Sequence, residues 1–291
     1  MNIPVVLALL TAAAAHCAQP VAAWLDPDKT EPEGTHYRSF PSKLANSEVS
    51  YLIYFPPFYE KDTTARFPVT YWLHGLNANQ RGGAPFVAQV DAAIRAGQAP
   101  PMIAVLVNGM RDVWWNDSAD GKMPVESVVI KELIPHIDST YRTIARRESR
   151  GVEGYSMGGY GAAHLGFKYP EVFGIVGIIA GGLAGSPQPH IQAATLDQYF
   201  GGRKGTWADG DPFLLLRKNA DAIRGRTTIR LAVGYEDGFH VHHRALHDFL
   251  NELKIEHEHE ILPGLAHSVV KWYQTLGPRS FTYYRKALDK R

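Results

Sequence analysis

Val152-Glu153-Gly154-Tyr155-Ser156-Met157-Gly158-Gly159-Tyr160-Gly161 sets a Gly-x-Ser-x-Gly between two apolar segments, and how this stretch is read decides the fold. Residues 150–155 are short enough for a strand. Residues 157–169 read as a helix stopped by Pro170, which cannot continue one. Strand, sharp turn and helix form the context in which such a serine becomes a nucleophile at an elbow. Turning in so few residues pushes Ser156 into sparsely populated backbone angles. Gly154 and Gly158 carry no Cβ to collide with neighbouring strands at the bend. The hydroxyl is expected at the carboxyl edge of a sheet, with the Met157 amide pointing into the same space from a helix N-terminus. Gly159, Gly161, Ala162 and Ala163 continue the small residues expected where a helix lies close on a sheet.

N-terminal to this stretch, apolar runs at 49–55, 67–73 and 102–107 read as strands, the first stopped by Pro56-Pro57. Between the last two, Phe86, Val87, Val90 and Ile94 recur at helical spacing, and Gly97 closes the helix. Pro124 opens another helix, with Val129, Leu133, Ile137 and Tyr141 four apart. Pro135 inside it is expected to bend it by removing one backbone bond. Residues 24–43, with scattered Pro, Asp and Glu, are expected to wrap the surface before the core begins.

On the C-terminal side, 173–180 reads as a buried strand. Residues 186–210 then lose all periodicity, a lid-like excursion of the kind that covers active sites. Asp211-Pro212 looks like an N-cap and first-turn pair opening a helix to about Ile223. Strands at 228–233 and 256–262 flank a helix at 241–253, and a helix over 278–290 closes the chain. Near-continuous apolar strands alternating with helices predict an α/β fold, a doubly wound and mostly parallel sheet covered on both faces.

A length of 291 residues without internal repeats or low-complexity tracts fits one catalytic-size domain over 24–291. A formal net charge of +1, with both signs interspersed, favours no nucleic acid or other polyanion as partner. Residues 3–15 are apolar, and Val21-Ala22-Ala23 offers a signal-peptidase pattern, so 1–23 is read as an export signal and the mature chain as secreted or periplasmic. The apolar run is too short for stable membrane insertion, which takes ~20 residues. Cleavage after Ala23 removes Cys17, the one cysteine, and with it any disulfide or thiolate chemistry.

A serine hydroxyl needs a base, and the base needs a carboxylate to fix its tautomer and steady its charged form. In this topology the acid and then the histidine follow the serine, each on a loop leaving the carboxyl end of a strand. Leu231-Ala232-Val233-Gly234-Tyr235-Glu236-Asp237 places two acids after a strand, and Asp237 is preferred to Glu236 as the shorter acid in the tighter turn. Capping the following helix is the alternative duty for Asp237. Pro263-Gly264-Leu265-Ala266-His267 follows the last strand and offers His267 as the base, with Ser268 capping the helix that carries Trp272. Leu73-His74-Gly75-Leu76-Asn77 also follows a strand, and Gly75 lets the loop come close, so the Leu76 amide can pair with that of Met157 as an oxyanion hole. His74 precedes the serine and is read as a structural hydrogen-bonding residue.

Two further clusters carry competing readings. His240, His242, His243 and His247, with His257 and His259, invite a metal, but no third ligand is set by a motif, and a solvated polar edge is preferred, with no metal or other cofactor expected. Trp114-Trp115 lies in a loop on the serine edge. The pair either lines an acyl or sugar cleft or sends one ring into the core and lays the other over it.

Taken together, Pro68 through His74-Gly75, Glu132-Leu133-Ile134-Pro135-His136-Ile137 with Tyr141-Arg142-Thr143, Gly154 to Gly161, and Tyr169-Pro170 with Phe173 resemble the putative esterase family of α/β-hydrolases. That family includes esterase D (S-formylglutathione hydrolase), secreted feruloyl and short-chain acyl esterases, and mycolyltransferases. The resemblance implies an α/β-hydrolase fold and a metal-free serine esterase. The nucleophile falls on Ser156, the acid on Asp237 within a Gly-x-x-Asp, the base on His267, and the oxyanion donors on Leu76 and Met157. It implies a small-molecule or polysaccharide-linked ester as partner. A formylglutathione substrate fits an exported chain poorly. An acyltransferase of the same chemistry and a non-catalytic binding member of the fold are the alternatives.

Overall fold

The computed structural model of the chain describes residues 23–183 and 210–289. The expected export signal lies outside those residues except for Ala23, and the expected excursion lies outside them except for Gly210.

Among the described residues, eight strands form one sheet: β1 (Thr35–Ser42), β2 (Ser47–Tyr54), β3 (Val69–Leu73), β4 (Ile103–Val107), β5 (Arg150–Tyr155), β6 (Ile175–Ile179), β7 (Thr228–Gly234) and β8 (Glu258–Leu262). Their order is β1-β2-β4-β3-β5-β6-β7-β8. β1 and β2 form an antiparallel hairpin, β2 pairs antiparallel with β4, and all later pairings are parallel. From β3 the chain moves to one side to build β4, then crosses back to build β5 on the other side of β3. The carboxyl ends of β3 and β5 therefore flank the switch point at which open α/β sheets bind ligands.

β1 corrects the expectation that residues 24–43 only wrap the surface. It is an edge strand in which Thr35, Phe40 and Ser42 are buried and His36, Arg38, Ser39 and Pro41 are exposed. With little buried on either face it carries no alternating apolar signal, and an edge tolerates Pro41 because a ladder donor is not needed there. The helix opened by Pro124 divides into α2 (Val125–Val128) and α3 (Ile134–Thr140), joined by a π-helical turn over Val129–Leu133. Pro135 has no N–H to give the carbonyl one turn back, and its ring presses on that carbonyl. Widening the ladder just before it relieves the clash.

Helices cover both faces of the sheet. α1 (Ala84–Arg95), α7 (Val269–Leu276) and α8 (Thr282–Asp289) enclose a layer with Trp72, Phe86, Trp272 and Tyr273. α4 (Met157–Lys168), α5 (Pro212–Ile223) and α6 (His240–Glu252) join α2 and α3 over the opposite layer, with Tyr71, Val152, Leu165 and Leu246. Neighbours Tyr71 and Trp72 enter opposite layers, as the two-residue period of a strand demands. The caps expected from sequence are present: Asp211 accepts the Phe213 N–H at 2.8 Å, and Ser268 accepts that of Lys271 at 3.4 Å.

Candidate active site

Ser156 sits between β5 and α4 with φ 61° and ψ −120°, the strained turn foreseen for the Gly-x-Ser-x-Gly. Its N–H is held by the Ile179 carbonyl at 3.0 Å. The flanking glycines are there because α4 presses on the sheet. A Cβ on Gly154 would lie 2.0 Å from the Gly158 oxygen, and one on Gly158 would lie 1.9 Å from that of Leu73. No side chain fits at either place.

The loops after β7 and β8 are joined to each other by backbone contacts. Tyr235 N–H donates to the Leu262 carbonyl at 2.7 Å, and Glu236 N–H to that of Leu265 at 3.2 Å. A Cβ on Gly234 would stand 1.8 Å from the Leu265 oxygen, so only glycine permits this approach. The consequence is that His267 reaches both of its neighbours. Its Nδ1 lies 2.6 Å from Asp237 Oδ2, and its Nε2 lies 2.9 Å from Ser156 Oγ. Asp237 is buried, and its other oxygen accepts the Phe239 N–H at 2.9 Å, so the carboxylate is both imidazole partner and local cap. Glu236, the competing acid, is exposed. With a carboxylate at Nδ1, the imidazole keeps its proton there and turns a lone pair on Nε2 toward the hydroxyl. Such a row can draw a proton from Oγ as it attacks and return it later.

Two rings that sequence reasoning did not single out flank the imidazole. Tyr155 lies against it at 4.9 Å between ring centroids, and Phe239 meets it edge-on at 5.3 Å. On the β3 side, a Cβ on Gly75 would be 3.2 Å from that of Ser156 and 3.7 Å from its Oγ, so Gly75 borders the hydroxyl. Met157 opens α4, where a backbone N–H has no partner within the helix. Leu76 directly follows Gly75 and Met157 directly follows Ser156, so each of the two amides is one residue from this contact.

Trp114 and Trp115 do not form a cleft wall together. Trp115 is wholly buried, and its ring fills a slot left by Gly109 and Gly161, where added Cβ atoms would lie 2.4 Å and 2.5 Å from it. The cleft-lining expectation for Trp115 is therefore corrected: its indole is enclosed by protein. Trp114 is 6% exposed and meets Tyr160 edge-on.

The histidines are mostly engaged with protein. His243 is buried and accepts the Gly181 N–H at 2.8 Å through Nε2, and burial pushes it down to about 3. His247 Nδ1 and His257 Nε2 are 2.8 Å apart. Among the described residues, no group of three or more His, Cys, Asp or Glu is arranged to hold a metal ion. Among the same residues no helix is long and apolar enough to cross a membrane.

Two buried acids also escaped sequence reasoning. Glu153, on β5, accepts hydroxyls from Tyr273 at 2.8 Å, Tyr283 at 2.5 Å and Tyr284 at 3.4 Å, and burial pushes its carboxyl up. An acid in the middle of a strand, between Val152 and Gly154, was the available signal. Glu126 meets His164 and Lys168 of α4, each at 2.6 Å, together with the Tyr169 hydroxyl. Burial pushes Glu126 up, but these neighbours outweigh it and hold the carboxyl at about 2. The four-residue spacing of His164 and Lys168 on one helix face was the signal here.

Comparison with known proteins agrees with this architecture. The family described as "Putative esterase" matches residues 42–291. An endo-1,4-beta-xylanase/feruloyl esterase of Xylanibacter ruminicola is 34% identical over 130 residues, 42% of this chain and 18% of that protein. The chain spans less than a third of the length of the curated relatives it matches. Among solved structures, a ferulic acid esterase superposes with a TM-score of 0.75 at 19% identity, covering 87% of this chain and 97% of the other. An S-formylglutathione hydrolase from Agrobacterium tumefaciens gives 0.71 at 19% identity, covering 88% and 96%. At these identities the superpositions show the fold, that of the α/β-hydrolases.

Proposed function

The chain belongs to the "Putative esterase" family, and on that footing we propose that it hydrolyses carboxylic esters with Ser156 as nucleophile, His267 as general base and Asp237 as partner of the imidazolium. The reading is supported above all by the row of contacts, 2.9 Å from Ser156 Oγ to His267 Nε2 and 2.6 Å from His267 Nδ1 to Asp237 Oδ2.

In the proposed sequence, neutral His267 takes the Ser156 proton as Oγ bonds to the ester carbonyl carbon. The oxyanion so formed accepts hydrogen bonds from the Leu76 and Met157 amides, each such donor being worth about 3–4 kcal/mol in the transition state. The C–O bond to the alcohol breaks as His267 returns the proton to the leaving oxygen. Water then repeats the attack on the acyl-enzyme, losing its proton to His267, and Ser156 departs with that proton. Asp237 keeps the proton of Nδ1 in place throughout and is not itself protonated.

Substrates are proposed to be short-chain acyl esters or acetyl and feruloyl esters, small or linked to a polysaccharide, the feruloyl part following the name of the Xylanibacter relative. Residues 1–23 are proposed to direct export, leaving one catalytic domain over 24–291 in a secreted or periplasmic protein. Ser156→Ala is expected to abolish nearly all cleavage of p-nitrophenyl acetate and methyl ferulate while circular dichroism stays unchanged. Retained turnover in that variant would refute the nucleophile assignment. A panel of acetyl, butyryl, octanoyl and feruloyl esters, ranked by kcat/KM, identifies the acyl group, and product on an added alcohol in excess of hydrolysis would reassign the enzyme as a transferase.

A further inference from the structure

We propose that His74, supported by Trp115, is the positioning residue that aims the Leu76 amide at the developing oxyanion. The inference rests on the reading of Leu76 as an oxyanion donor and concerns how that donor is held.

His74 follows β3 and is wholly buried. Its Nε2 lies 3.2 Å from the Gly109 amide, which can only donate, so Nε2 carries a lone pair and the ring proton is on Nδ1. That Nδ1–H points at the Gly75 carbonyl oxygen, 2.9 Å away. The same oxygen also accepts the Ala78 N–H at 3.3 Å, so two donors fix its direction. Gly75 C=O and Leu76 N–H belong to one planar trans peptide and point in opposite directions. Holding the oxygen toward His74 therefore turns the Leu76 N–H the other way, and the Gly75 backbone beside it lies against Ser156.

Trp115 holds the rest of the His74 residue. Its Nε1–H donates to the His74 carbonyl at 3.2 Å, and the two rings meet at 62° with centroids 5.0 Å apart. The Cγ–Cδ1 edge of the same indole packs on Gly161 of α4, the helix whose first amide belongs to Met157. The same α4 backs onto the β3 loop at Gly158, where a Cβ would lie 2.8 Å from the His74 oxygen. One indole is thus wedged between the carriers of both proposed oxyanion donors. Burial keeps the His74 imidazole neutral down to about 4. A proton on Nε2 would set it against the Gly109 amide, so the ring is built to remain in one tautomer.

The test compares His74→Leu, His74→Asn and Trp115→Phe with the parent for kcat and KM on p-nitrophenyl acetate, inhibition by phenylboronic acid, thermal midpoint and fluorophosphonate labelling. A boronate bound to Ser156 is tetrahedral and places an oxygen where the oxyanion forms. His74→Leu is expected to lower kcat about 10- to 100-fold and to weaken the boronate by the same factor, with KM little changed. Asn presents an amide N–H close to where Nδ1–H stood, so His74→Asn should recover most of the loss. Trp115→Phe leaves an aromatic ring but deletes the indole donor and part of the packing against Gly109 and Gly161, and should fall between them. A folded His74→Leu or Trp115→Phe protein with parental kcat would overturn the inference, as would His74→Asn being as impaired as His74→Leu. Should His74→Leu fail to fold, the other two variants decide. Labelled Ser156 with parental kcat in every variant sinks only the role of His74, whereas an unlabelled parent enzyme removes the Ser156 reading and this inference with it.

Discussion

Replacing Asp237 by Asn changes one atom and is expected to stop the reaction by way of a tautomer. Asp237 Oδ1 accepts the Phe239 N–H at 2.9 Å, and Oδ2 faces His267 Nδ1 at 2.6 Å. In Asp237→Asn the amide oxygen must stay on Phe239. The opposite flip would set two donors face to face in a buried place, at a cost of about 1–3 kcal/mol. The amide NH2 is then left pointing at Nδ1, which must give up its proton and accept. His267 moves that proton to Nε2, where it points at Ser156 Oγ, and the base can no longer take the hydroxyl proton. Loss of the working tautomer costs about 10⁴-fold in kcat in a serine–histidine–aspartate system, or about 5.4 kcal/mol of barrier. KM should change little, because Asp237 is buried and reaches Ser156 only through His267. The assay is kcat and KM on p-nitrophenyl acetate, with circular dichroism to show that the fold persists. A folded variant whose kcat stays within about tenfold of the parent would refute the reasoning.

Two further outcomes follow from packing and burial. Gly158→Ala puts a Cβ 1.9 Å from the Leu73 oxygen, and α4 cannot retreat without moving Ser156, so urea unfolding should show a loss of about 3 kcal/mol or more, and an unchanged midpoint would contradict the close approach. Burial holds His243 down to about 3 and, together with repulsion from His247 and His257, His259 down to about 4, against an ordinary value of 6.5. Because the unfolded chain takes up these protons first as pH falls, the stability they contribute is complete above 6.5 and is lost toward the folded-state values. Tm should therefore be level above about pH 7 and fall between about 6.5 and 4. His243→Gln, which keeps an acceptor for the Gly181 amide without a titrating group, should make that fall shallower, and an identical slope would remove His243 from the account.

What could be read along the chain was whatever neighbouring residues settle among themselves. The turn at Ser156 is demanded by backbone sterics between Gly154 and Gly158. Pro212 behind Asp211 opens a helix through fixed φ and a side-chain acceptor. Apolar period separates strands from helices, so the α/β alternation was legible, as was the family resemblance carried by residues 154–161 and 132–143. Pairings between distant segments were not. β1 has too few buried positions to announce itself, and only its ladder with β2 makes it a strand. Nothing near Trp115 tells that Gly109 and Gly161 leave a slot of its width, and nothing near Glu153 tells that three tyrosines of the C-terminal helices will meet it. The 2.6 Å and 2.9 Å contacts of His267 likewise depend on Gly234 letting two loops touch. Local conformation is set by forces that act over a few bonds and can be read one residue at a time. The partners of a buried group are chosen by the closure of long loops and the filling of space, which belong to the folded chain as a whole.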